Sequence, residues 1–305
     1  LIVKYNKKVP VLGFTALELV TLDIFLIPMF SRSTWLHLRF PFSFFLMPVY
    51  FFALAVSPNL NGGQLLWSFL IVHLFLYPAS NGFNSYFDKD TKSIGGLKNP
   101  PPVTRDLYYV SILLDVLAIT LGYLKINLTF AVLLFLYGMA SKAYSHPVVR
   151  LKKYPVIGWL TVGFFQGFFT FLMCYAGINK YDWSNLMVDR VLVPAALSSV
   201  ILLGTYPMTQ IYQHEEDAAR GDVTLSLKLG IQGTFRFVFI VFTLATAAFI
   251  FYFIKFHQLK YGWVFLIALA PVVLYFMIWW WQAWHHPDKV NFARTMGLNF
   301  ISAIC

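Results

Sequence analysis

The sequence carries 13 acidic residues, and six of them fall in two short stretches. The first reads Asn81-Gly-Phe-Asn84-Ser-Tyr-Phe-Asp88-Lys-Asp90-Thr-Lys92, and the second reads Gln210-Ile-Tyr-Gln213-His-Glu215-Glu216-Asp217-Ala-Ala-Arg220-Gly221-Asp222. Asn84 and Asp88 are four apart, as are Gln213 and Asp217. On a helix each pair shares one face, a turn apart. Two such faces meeting across a bundle make a ring of oxygen ligands. Oxygen-only sets suit Mg2+, a hard ion that keeps several waters and completes its shell with substrate phosphates. Lys92, Lys142, Arg150, Lys152 and Lys153 are candidate clamps for a phosphate group. One polar stretch at a helix end is ordinary, but the same spacing in two separate stretches points to a site. Cys174 and Cys305 lie in apolar surroundings with no metal-type spacing and imply no disulfide framework.

The elements that must position these residues are membrane helices. Of 305 residues, 59% are hydrophobic and only 12% charged, and mean hydropathy is +0.67. A soluble domain of this size carries about twice that charged fraction. Apolar runs long enough for the ~30 Å hydrocarbon layer fall at 38–57, 64–86, 107–124, 127–144, 156–177, 190–212, 235–255 and 261–281, and a partial ninth begins near 292. The expected fold is an all-α polytopic membrane protein, about nine transmembrane helices around a central cavity, the last incomplete. Residues 1–36 are expected to form an interfacial or amphipathic segment, since Glu18 and Asp23 interrupt the apolar middle, and residues 37–305 the transmembrane domain. Alternating connections put eighteen of the 23 lysines and arginines on the face that bears both polar stretches. That bias makes it the cytoplasmic face. The net charge of +10 then reads as topology and attraction to anionic lipid, with no nucleic-acid motif.

In these residues the chain resembles the UbiA superfamily of intramembrane prenyltransferases, in a bacterial-type form with degenerate Asp-rich motifs. The family pattern N-x-x-x-D-x-x-x-D is met by Asn84, Asp88 and, at its last position, Lys92. The pattern D-x-x-x-D is met by Gln213 and Asp217, followed by Gly221 and Thr224-Leu-Ser-Leu-Lys-Leu-Gly230. Tyr144-Ser-His-Pro-Val-Val-Arg150-Leu-Lys152-Lys153 resembles the stretch after the family's fourth span, and Arg39-Phe-Pro41 the mouth of its first. Two carboxylates of the pattern are replaced, by Lys92 and Gln213. Asp90 and Glu216 are neighbouring reserves, although one residue of offset turns a side chain by ~100° on a helix.

The resemblance implies Mg2+-dependent transfer of a prenyl group from a prenyl diphosphate to a lipophilic or aromatic acceptor, in a bacterial inner membrane. It implies metal and diphosphate contacts from Asn84, Asp88, Gln213 and Asp217, with Asp90 and Glu216 in reserve. Lys92, Arg150, Lys152 and Lys142 would hold the leaving group, Tyr144 would stand near the diphosphate or cation, and Arg39 would orient the acceptor. One reading of the two replacements is a lost metal position with Lys92 supplying its charge; the other is catalytic divergence. A terpene cyclase of the same fold remains open, as does a non-catalytic or transport protein. The charges lie at one face rather than at mid-membrane, where transporters commonly place them. Asp115 in the third span is a candidate for the cavity or for a buried hydrogen bond. His73 reads as a core histidine, His285 and His286 as interfacial anchors, and Pro207 and Pro271 as kink sites.

Overall fold

The computed structural model describes residues 31–305, so most of the expected interfacial segment, residues 1–30, lies outside the described residues. Among the described residues, eight helices are long and apolar enough to cross a membrane: α1 (Arg32–Ala55), α2 (Gly62–Asp88), α3 (Asp106–Lys125), α4 (Leu128–Ser145), α5 (Pro155–Asn179), α6 (Asp189–Thr209), α7 (Leu225–Phe256) and α8 (Leu259–His285). A shorter α9 (Phe292–Ile304) follows. These nine answer the nine apolar runs. No strand occurs among the described residues.

Helix starts follow local chemistry. Asn61, Asn127 and Asn291 accept from backbone N–H groups of the first turns of α2, α4 and α9, and Thr224 does so for α7. These side chains satisfy donors that lipid cannot. Pro155 opens α5, where its missing N–H is not needed.

Several spans are interrupted. In α1 the backbone turns left-handed at Arg39 (φ 49°), and Pro41 then opens a 3-10 turn over Phe40–Leu46. Pro207 sits in the 3-10 turn Tyr206–Thr209 that ends α6, while Pro271 lies inside a continuous α8. Residues Ile71–Leu76 of α2 and Gly163–Phe169 of α5 are π-helical. The widened turn of α5 leaves ladder groups unpaired, and Ser199 of α6 meets them. Its hydroxyl donates to Gly163 O at 2.6 Å and accepts from Phe168 N–H at 3.1 Å. Gly167 makes that approach possible, since a Cβ there would lie 2.5 Å from the Ser199 Cα.

The core has two main bodies. One packs α1 to α6 around Phe130, Phe171 and Tyr175. The other packs the end of α6 with α7, α8 and α9 around Phe235 and Trp279. α9 returns to Phe40–Leu46 of α1, where Phe300 meets Phe44 at 5.7 Å between ring centroids, so the helices close into a ring.

The α5–α6 contact gives a direct test. Gly167→Ala forces two backbones apart and should cost about 1–3 kcal/mol, the usual range for overpacking. Gly62→Ala has open space at its Cβ and should melt within a degree or two of the parent. Equal melting of the two variants in detergent would refute the close approach.

Candidate active site

Both polar stretches lie where helices stop. α2 ends at Asp88, and Lys89 adopts a left-handed conformation (φ 51°) with its N–H bonded to Ser85 O at 3.0 Å. The chain therefore leaves the helix before Asp90, and the ~100° offset expected from a continuing helix does not apply. Asp90 turns back and is buried beside the cluster. Beyond α6, residues 210–213 form a turn, and a separate short helix, His214–Arg220, carries the second stretch. Gln213 precedes this helix and Asp217 N–H bonds back to Gln213 O at 2.9 Å. The two thus hold the expected i, i+4 relation, but not at the end of the span. Gly221 (φ 73°) ends the short helix and returns Asp222 to the cluster.

The third contributor is the link between α4 and α5. Arg150 is left-handed (φ 43°) and leads into the 3-10 turn Leu151–Lys153. Its guanidinium donates to both oxygens of Asp222 at 2.8 Å and to Asp88 Oδ1 at 3.3 Å. Lys152, itself buried, pairs with the other Asp88 oxygen. Arg220 pairs with Asp90, with Asp217 Oδ1 at 2.7 Å and with Asp222 Oδ2 at 3.3 Å. Asn84 donates from Nδ2 to Ser145 Oγ at 3.0 Å, which leaves its carbonyl oxygen as an acceptor.

These groups crown one chamber of about 220 Å3. Its lining includes Asn84, Asp88, Asp90, Lys152, Tyr144, Gln213, Asp217, Arg220 and Arg39, with Phe42, Leu46, Tyr137 and Phe165 below. Tyr144 and Tyr206 share a hydroxyl–hydroxyl bond of 2.5 Å, and Gln210 donates to Tyr206 at 3.2 Å. Arg39 donates to Gly95 O and Asn81 O and lies over the Phe42 ring, 5.3 Å from its centroid, and its Nε has no partner. Ser80 Oγ and Gln210 Oε1 are also buried and unpartnered in the lining.

Burial raises the Asp217 carboxyl to about 6, against the pull of Arg220 and Lys152. Burial also raises Asp90, with the nearby Asp88 adding to the shift. Asp222 is pushed up by burial, yet its bonds to Arg150 and the nearby Lys152 hold it below the ordinary carboxylate range. One compact site thus holds carboxylates with different proton affinities, a pattern common where charge is handled.

Four expected residues stand elsewhere. Lys92 is largely exposed and pairs with Glu215 at 2.5 Å. Glu216 Oε1 accepts from the backbone N–H of Thr91 and Lys92, each at 2.9 Å, and does not line the chamber. Lys142 turns from the site to pair with Asp115 between α4 and α3, and stands 5.0 Å from the Phe83 ring centroid. Asp115 thus belongs to a buried ion pair rather than to the chamber. Arg150 stands behind the wall and orients Asp88 and Asp222. His73 is buried among Phe69, Tyr50 and Tyr77; Nδ1 meets Phe69 O at 2.9 Å while Nε2 is unpartnered. Spacing alone does not single out Arg220, Asp222 or Tyr206. The only advance sign of Arg220 is its i, i+3 relation to Asp217.

The fold and site define a polytopic membrane protein whose charged chamber opens at one face of a helical ring. The UbiA prenyltransferase family model matches residues 45–304, and the chain belongs to that family. A UbiA homolog from Archaeoglobus fulgidus bound to GPP and Mg2+ superposes with a TM-score of 0.64 at 17% identity, over 89% of this chain and 96% of that one. The same homolog bound to DMAPP and Mg2+ also gives 0.64, at 16% identity over 90% and 99%. A structure concerned with digeranylgeranylglyceryl phosphate synthase in membranes gives 0.55 at 19% identity, over 90% and 93%. At such identities the likeness is one of fold. The curated proteins gave no match.

The buried pair outside the chamber is separately testable. Asp115→Ala or Lys142→Ala leaves an unpaired buried charge and should cost about 3–5 kcal/mol, whereas an apolar pair at both positions should recover most of it. Thermal melts of the three proteins decide, and a double variant no better than the worse single one would exclude the pairing.

Proposed function

We propose that this protein moves a prenyl group from a prenyl diphosphate to an electron-rich acceptor, an aromatic ring in first place, inside the membrane. One observation carries the reading: a single chamber has a charged mouth of Asp88, Lys152, Asp217 and Arg220 over an interior of Phe42, Leu46, Tyr137 and Phe165. A ligand with a diphosphate head and a hydrocarbon tail matches both halves. The A. fulgidus homolog bound to GPP and Mg2+ has the same fold, which supports the choice of ligand.

The donor chemistry fits Mg2+. Asn84, Asp88, Gln213 and Asp217 line the chamber and offer oxygens only. Among the described residues no three acidic, histidine or cysteine groups stand together as a metal site, so substrate oxygens and water would complete any shell. Bound Mg2+ would neutralise charge on the departing diphosphate.

The chain's own groups do the rest. Lys152 and Arg220 present N–H donors to the diphosphate, and Arg150 holds Asp88 in place from behind. As the C–O bond breaks, its electron pair leaves with the diphosphate and an allylic cation remains. The faces of Tyr144, Tyr206 and Phe165 can stabilise that cation, and the apolar walls keep water from it. The acceptor supplies the electron pair for the new C–C or C–heteroatom bond and then loses a proton. Unpartnered Ser80 Oγ, Gln210 Oε1 and Arg39 Nε are available to hold a polar substituent of the acceptor. The excess of lysine and arginine on the site-bearing face makes it cytoplasmic.

Titration of the purified protein with geranyl, farnesyl and geranylgeranyl diphosphate should raise its melting temperature progressively as ligand concentration rises. The rise should need Mg2+ and should vanish in Asp88→Ala and Asp217→Ala. Absence of any shift at every chain length would remove the proposal. Within the same series Lys152→Ala should weaken binding at least tenfold. Lys92→Ala should change it less than about threefold, because its ion pair with Glu215 is exposed and screened by solvent and lies outside the chamber lining.

A further inference from the structure

Arg220 is the cation with the most carboxylate partners in the site. All three guanidinium nitrogens are engaged, by Asp90, Asp217 and Asp222. Asp90 belongs to the loop after α2, Asp217 to the short helix and Asp222 to the turn beyond it. One planar fork therefore joins the two polar stretches. Its side chain is 20% exposed and lines the chamber, so it faces whatever binds there.

Charge counting gives this position a consequence. Asp88, Asp90, Asp217 and Asp222 stand against Arg150, Lys152, Arg220 and the Arg39 of the same lining, four negative groups against four positive ones. The mouth is thus balanced, and a single divalent ion turns it two charges positive and ready for an anion. Without Arg220 the mouth is one negative charge in excess, one divalent ion leaves it only one charge positive, and a second ion replaces what the guanidinium supplied. Lys92 is the replacement charge that spacing suggests, but it lies outside the lining and pairs with the exposed Glu215. Guanidinium is suited to the task, since its fork meets phosphate oxygens bidentately while a second edge stays on a carboxylate.

We infer that Arg220 is a built-in cation of the diphosphate site that takes the place of one divalent ion, so that this chain uses a single metal position, on the Asn84–Asp88 side of the chamber. The inference rests on the prenyl diphosphate reading and narrows it. Arg220 then contacts the leaving group directly, and the two polar stretches are held together before any metal arrives.

The test counts ions. Mn2+ bound per chain is read from the loss of the free-ion spin-resonance signal, in detergent. Saturating S-thiolo analogues of geranyl and geranylgeranyl diphosphate, which ionise poorly, are present. The native protein should bind one Mn2+. Arg220→Gln should bind two, and Arg220→Lys, which keeps the charge, should stay at one. Any native count other than one, or a count of one in Arg220→Gln with analogue still bound, overturns the inference. If Arg220→Gln does not fold, the native count decides alone. A native protein that takes up neither analogue, read as no thermal shift with or without Mn2+, removes the prenyl diphosphate reading itself. That result differs from analogue bound with two ions, which removes only the role of Arg220.

Discussion

Four carboxylates and three cations must share a small volume at the edge of a membrane, where burial makes each unpaired charge costly. Much of the local structure follows from that requirement. The groups come from three links, and each link reaches the site through a backbone device. Lys89 turns α2 off its axis, left-handed Arg150 bends the chain after α4, and Gly221 reverses it after the short helix. The ring of ion pairs then fixes the links to one another. Asp88 is held by the α4–α5 link through Lys152 and Arg150, and Asp90 by the short helix through Arg220. Removing one partner would leave several others uncompensated, so the network acts as a unit.

Below the network the problem is the opposite one, to keep a chamber open inside a packed bundle. The π segment of α5 and the close Gly167–Ser199 crossing tighten one side. Closing the ring falls to α9, which packs on Phe40–Leu46 of α1 and places Met296 and Asn299 in the lining. On that side the chamber is bounded by α9 and the 3-10 turn of α1. Asn299 also lines an apolar cavity of about 380 Å3 between α6, α7, α8 and α9.

The spans were legible because apolar length is a property of local sequence. The same holds for Asn84, Asp88, Asp217, Lys152 and Tyr144, whose spacing or motif context marked them and which do line one chamber. Direction was not legible for long, flexible cations. Lys142 and Lys152 differ little in local context, yet one reaches Asp115 and the other Asp88. That choice depends on which acid stands across the bundle, which spacing does not encode. Arg220 was hidden for the same reason. Asp90 is placed by a different device: left-handed Lys89 ends the helix before it, so the offset of a continuing helix does not apply.

The two positions at which the motifs depart from the family pattern have a physical meaning together. Lys92 pairs with Glu215, and Gln213 donates from Nε2 to Ser93 O at 3.2 Å. Between them Glu216 accepts two backbone N–H bonds from the opposite loop. These side chains strap one motif loop to the other. The contributions are unequal. A solvent-screened pair such as Lys92–Glu215 contributes little, whereas hydrogen bonds to a charged acceptor contribute about 1.5–3 kcal/mol each. Glu216 is then the main fastening, with Lys92 an accessory. A strap of this kind aligns the loops without an ion between them, which removes the need for metal to assemble the site and leaves metal only the substrate to neutralise.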